Sequence, residues 1–185
     1  MMSHGVKNII GFDRQGALTR DRDYSDNRFK QWFADNTNPN NEGGTIGDVL
    51  KGADVFLGLS GPGLVTKEDI AGMADNAIVF ALANPTPEIA PEELPDNVSV
   101  MATGRSDYPN QVNNSLGFPG LFRGIFDVRA SEINDQMKLA AARALASVIP
   151  EDSLGADFVI PSVFDANVVT RVAAATAQAA IDSGV

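Results

Sequence analysis

Four short apolar runs constrain this chain more than any other feature: Val6 to Phe12, Asp54 to Ser60, Ala77 to Ala83 and Val98 to Gly104. Each is largely apolar and stops at small or polar residues. Buried parallel strands have this pattern when helices cover both faces of their sheet. The stretches between them suit helices around Asp26 to Ala34, Thr45 to Lys51 and Thr66 to Met73. Such an alternation predicts an α/β fold, a parallel sheet joined by right-handed crossovers.

The last third of the chain reads as helix. Ser131 can cap a helix that starts at Glu132 and runs to about Val148, with Ile133, Met137, Ala141, Ala144 and Val148 on one face. Asp135 lies early in it and Lys138 and Arg143 later, which suits the helix dipole. An alanine-rich helix is expected after Asp165, ending near Gly184, with Val168, Val172, Ala175 and Ala179 on one face. Both stripes read as core packing. No repeat or low-complexity linker interrupts the sequence, so residues 1–185 are expected to form a single domain.

The formal net charge is −10, and no Lys/Arg cluster offsets it. That argues against a nucleic-acid partner and against an anionic membrane surface. The chain has no cysteine, which excludes disulfides, thiolate nucleophiles and cysteine metal sites and suits a reducing cytoplasm. No apolar run approaches the roughly 20 residues that span a bilayer. MMSHGVKN lacks the basic-then-apolar plan of a signal peptide. A cytoplasmic location is the expectation.

In an open parallel sheet, ligands bind beyond the carboxyl ends of the strands. After the first run stand Asp13, Arg14, Gln15 and Gly16. A carboxylate there suits a ribose hydroxyl, Arg14 beside it suits a 2′-phosphate, and a plain turn or helix cap fits the same residues. After the second run, Ser60-Gly61-Pro62-Gly63 offers either a backbone that can approach a flat ligand or a tight connection. After the third comes Asn84 in NPTPE; its amide both donates and accepts, though an Asx turn would also use it. After the fourth comes a dense polar stretch from Thr103 to Asn114, leading into Gly117-Phe118-Pro119-Gly120. The single histidine, His4, precedes the first run and reads as a helix-end residue with Gly5 as its cap. No Ser/His/Asp arrangement and no metal-ligand spacing is evident.

Taken together, IIGFDRQGAL, DVFLGLSGPG, FALANPTPE and ATGRSDYPNQVNNSLGFPGLFRGIFDVRA resemble the bacterial malic enzymes. The resemblance continues through INDQMKLAAARALA and IPSVFDANVVTRVAAA and covers essentially the whole chain. It rests on the order, spacing and combination of these segments rather than on any one. It implies oxidative decarboxylation of malate to pyruvate and CO₂, with NAD or NADP as hydride acceptor and Mg²⁺ or Mn²⁺ as the metal. By the resemblance, Asp13 meets the adenosine ribose with Arg14 beside it, the backbone at Ser60 and Gly61 flanks the cofactor, and Asn84 lies against the nicotinamide and the substrate. Asn114, with Asn113 beside it, holds the malate carboxylate and the nicotinamide side.

The resemblance also implies what this stretch does not carry. In the family, the tyrosine and lysine of the acid–base chemistry and the acidic metal ligands precede the glycine fingerprint, and none of those segments is in this sequence. Neither is the fingerprint, which belongs about 20 residues before the acidic residue; only twelve residues precede Asp13. The glycines are therefore expected upstream, with MMSHG as the tail of the helix that follows them or as part of a tag.

The expected fold is thus an incomplete Rossmann-like parallel sheet with helices on both faces, lacking its first strand, plus C-terminal helices. In a classical Rossmann sheet strand one lies between strands two and four, so its loss leaves a gap. Closure is expected by direct pairing of the first two runs, by another chain or by an oligomer contact. No catalytic residue and no metal ligand is expected in this chain. It is expected to be inactive alone, and either to pair with the missing N-terminal part or to form a homo-oligomer. The alternative is a stand-alone nucleotide-binding or subunit-assembly module without catalysis.

Overall fold

A computed structural model describes residues 1–185. A single turn of 3-10 helix, Met2–His4, opens the chain and ends where Gly5, at φ 95°, returns its N–H to the Met2 carbonyl. His4 does stand at a helix end. The first apolar run departs from expectation. It forms no strand until β1 (Phe12–Asp13), which pairs antiparallel with β2 (Gly16–Ala17) in a hairpin turned by Arg14 and Gln15. The Ile9 carbonyl accepts from the Asn38 N–H, and the Gly11 carbonyl from the Leu18 N–H. A strand exists only as part of a ladder, and no sheet neighbour is available here, so the run finds local partners instead. α1 (Arg28–Asn36) starts two residues later than the expected Asp26, because the Asn27 side chain caps it by accepting from the Phe29 and Lys30 N–H groups.

The next two helices follow their caps. α2 (Ile46–Leu50) and α3 (Lys67–Ala71) each begin with a capping box, Thr45 with Asp48 and Thr66 with Asp69. Between and after them lie β3 (Val55–Gly58), β4 (Ala77–Ala81) and β5 (Val98–Thr103). They form one parallel sheet in the order β3-β4-β5, with Val55 opposite Ile78, Leu57 opposite Phe80, and Ala81 opposite Thr103. Phe56, Val79 and Ala81 are buried in one core with Leu50, Ile70, Met73 and Ile89. The opposite face is less covered. Val55 and Leu57 are each 42% exposed, and their register partners Ile78 and Phe80 are half-buried. The outer edge of β3 pairs with no strand of this chain, so the expected direct pairing with the first run does not occur.

Three helices close the fold. α4 (Phe118–Val128) and α5 (Asp135–Ala146) both pack on α6 (Ala166–Ser183). α4 was not expected; Pro119 and two glycines resemble breakers. Proline is compatible with a helix's first turn, where its missing N–H has no partner to lose. The glycines permit close approach: a Cβ on Gly120 would lie 2.6 Å from the Val172 Cβ, and one on Gly124 would strike the Ala173 carbonyl and the Thr176 side chain. The cap of α5 is Asn134, not Ser131; its side chain accepts from the Met137 N–H. Ile133 accordingly lies outside the helix and exposed, while Met137 is buried. α6 begins at its Asp165 cap and ends at left-handed Gly184, as expected. Its buried face runs Val168, Val172, Thr176 and Ala180, with Ala173, rather than through Ala175 and Ala179, which are half-buried.

Candidate functional site

All three parallel strands end on the same edge, so the loops after Gly58, Ala81 and Thr103 share one rim of the sheet. Ser60, Asn84, Asn113 and Asn114 lie exposed on these loops. A Cβ on Gly61 would meet nothing within 4 Å, so the space above that backbone is open to a ligand. Asn113 turns the chain into a short 3-10 helix, Asn114–Leu116, by accepting from the Ser115 N–H; its amide nitrogen stays free. Asn84 and Asn114 are exposed, and their side chains make no hydrogen bonds inside the protein.

Glu88 ties two of these loops together. Its side chain is buried, at 1% exposure. Oε1 accepts from the Ser60 N–H at 2.8 Å and Oε2 from the Ala83 N–H at 3.1 Å. Asn110 does comparable work on the far side. In a left-handed conformation (φ 54°), it donates to the Met101 and Ala156 carbonyls and accepts from the Val159 N–H, so β5 is fastened to the loop before α6. Sequence reading passed over both: a Glu and an Asn in polar loops carry no sign of burial. Other side chains of the polar stretch after β5 are held by partners within the protein. Arg105 forms a two-nitrogen ion pair with Asp107, and the Tyr108 hydroxyl donates to Glu92 at 2.7 Å, a bond that holds the phenol above its usual range.

Asp13 and Arg14 belong to the β1–β2 hairpin, which is not part of the parallel sheet and packs on a small core of Leu18, Tyr24 and Ala34. Oδ1 of Asp13 accepts from the Gln15 N–H at 2.9 Å, an Asx turn, and from Arg22 at 3.0 Å; Oδ2 accepts from Arg22 at 3.1 Å and from the Lys30 ammonium. Burial alone would raise its pKa, but Lys30, the Gln15 N–H and Arg22 outweigh this and hold it at about 2. Arg14 is exposed beside it. Together with Arg22, Tyr24 and Lys30 they line an open polar cavity of about 590 Å³. Arg22 and Lys30, the groups that decide the charge of this cavity, escaped the sequence reading because they lie 9 and 17 residues downstream. No three of the Asp, Glu and His side chains converge on a point that could hold a metal ion.

The family described as malic enzyme, NAD binding domain, matches residues 2–181. The chain belongs to that family. The NAD-dependent malic enzyme of Geobacillus stearothermophilus is 56% identical over 185 residues, which are all of this chain and 38% of that protein. The bifunctional malic/malolactic enzyme of Bacillus subtilis is 49% identical over 183 residues, 98% of this chain and 45% of that protein. The crystal structure of malic enzyme from Pyrococcus horikoshii superposes with a TM-score of 0.91 at 41% identity, over all of this chain and 44% of the other. The chain therefore spans less than half the length of these malic enzymes. Its α/β fold is that of their NAD-binding domain. No helix is long and apolar enough to cross a membrane.

Proposed function

We propose that this chain is the C-terminal part of the dinucleotide-binding domain of a malic enzyme, one domain across residues 1–185. It serves the oxidative decarboxylation of malate to pyruvate and CO₂. The observation that carries this reading is the row of exposed strand-end loops on one rim of a parallel sheet, in a chain of this family. NAD or NADP, when bound, supplies the hydride acceptor. The residues present suit it: open backbone at Ser60 and Gly61 accommodates its flat surface, and the free amides of Asn84 and Asn114, with the free amide nitrogen of Asn113, match a carboxamide and a carboxylate. Such amides orient both groups by hydrogen bonds without adding a charge that titrates. Asp13 and Arg14 take the adenosine ribose end.

These residues bind and orient; none is assigned to move a proton. The acidic groups here do not converge as Mg²⁺ or Mn²⁺ requires, and we place the ligands of that metal outside this chain. The chain alone is inactive and pairs with the remaining part of the enzyme or with copies of itself, in the cytoplasm. The test is malate-dependent reduction of NAD or NADP by the purified chain with Mn²⁺. We expect no turnover; activity that follows this chain through purification would overturn the reading. The bare apolar side chains Val55 and Leu57 favour a second reading, an assembly module with no reaction of its own.

A further inference from the structure

Glu88 is a carboxylate sealed where an apolar side chain would be cheaper to bury. It sits neither on the protein surface nor in an ion pair. Both oxygens are spent on backbone N–H groups, one from each of two separate loops: Ser60, 28 residues away, and Ala83, five residues away. The Glu88 carbonyl adds a third tie by accepting from the Gly63 N–H at 3.1 Å. The side chain crosses the end of β3 at Gly58, where a Cβ would lie 2.5 Å from the Glu88 Cδ. Only glycine leaves that passage open. A carboxylate is the one common side-chain group that accepts on both of its ends at once, so the two loops are joined by a bond pattern that no isosteric residue reproduces.

We propose that Glu88 is a positioning residue for the strand-end site. Its carboxylate clamps the loop after β3 to the loop after β4, and so fixes the spacing between the Ser60–Gly61 backbone and Asn84. This rests on the cofactor reading above. The clamp acts through loops and touches neither cofactor nor substrate. Its consequence is mechanical: the two halves of the nicotinamide-side rim move as one body, and a dinucleotide meets them already in register.

The experiment uses the ¹⁵N-labelled chain, with NAD as the probe, comparing the unaltered protein with Glu88→Gln. The glutamine keeps the shape but turns one acceptor into a donor, so one of the two facing N–H groups loses its partner. We expect the Ser60 or Ala83 amide to lose protection against hydrogen exchange while amides of α6, such as Val172, keep theirs. NAD should shift the Ser60, Gly61 and Asn84 signals in the unaltered chain, and Glu88→Gln should raise the dissociation constant about tenfold, the equivalent of one charge-assisted hydrogen bond.

Unchanged exchange at both Ser60 and Ala83 would overturn the clamp. Lost protection with an unchanged dissociation constant would overturn positioning and leave Glu88 a purely structural residue. Absence of any NAD-induced shift in the unaltered chain would overturn the cofactor reading and the positioning claim with it, whereas the clamp itself is still decided by exchange. Should Glu88→Gln fail to fold, Gly58→Ala carries the test. It keeps the carboxylate but blocks its passage, and we expect the same loss at Ser60 and the same weakening of NAD binding.

Discussion

Asp13 gathers Arg22, Lys30 and the Gln15 N–H around one carboxylate, and its pKa of about 2 lies below the ordinary value of 3.8. A depressed carboxylate pKa contributes stability that is complete above the unfolded-state value and is lost as pH falls through the folded-state value. The window for Asp13 therefore runs from about pH 4 down to pH 2. After allowance for solvent screening the contribution is about 1 kcal/mol. Denaturant unfolding followed across that window should show Asp13→Asn less stable at pH 7 by this amount, with most of the difference gone by pH 2. A constant difference would show that the loss is steric. At this scale the sequence displayed one member of the group and concealed the rest. An acidic residue closing an apolar run is visible in order; its two cations are not, since they reach it only through the hairpin and the start of α1. Glu88 was hidden for the same reason: its partners are backbone groups, and backbone groups have no letter.

Between elements, the tightest fit is α4 against α6. Gly120 and Gly124 bring the two backbones close, and beside Gly124 the buried Thr176 hydroxyl has no hydrogen-bond partner in the protein. A buried unpaired hydroxyl costs about 1 kcal/mol or more, so Thr176→Val should raise the thermal midpoint, while Gly124→Ala should lower stability by roughly 1–3 kcal/mol through overpacking. Calorimetric unfolding of the two variants checks both signs; a destabilised Thr176→Val would mean that the hydroxyl has a partner after all. α6 was legible because its cap, its length and its terminal Gly184 agree. α4 was not, because the residues that make it pack well are those that usually end helices. The first apolar run failed in the opposite sense. Its local pattern fits a strand, and only the absence of a neighbour denies it one.

At the scale of the whole molecule the sheet has two outer edges; β5 carries a single bridge from Thr103 to Gln111, whereas β3 pairs with no strand on its outer side and has the exposed Val55 and Leu57 beside it. Unpaired edges of this kind recruit other chains. Sedimentation velocity should show concentration-dependent association, reduced by Leu57→Lys, which places a charge on the exposed face without touching the buried Phe56. Association unaffected by that change would assign it to another surface. The parallel sheet itself was legible from three of the four runs, since β3, β4 and β5 each fell within an expected span; how the chain ends up bordered was not, because a border depends on what lies next to it. The unfinished edge also sets a colloidal limit. At pH 7 a formal net charge of −10 holds copies apart, and near the isoelectric point of about 4.4 that repulsion vanishes while the edge remains. Turbidity should therefore peak near pH 4.4 and clear on either side, and Leu57→Lys should flatten the peak.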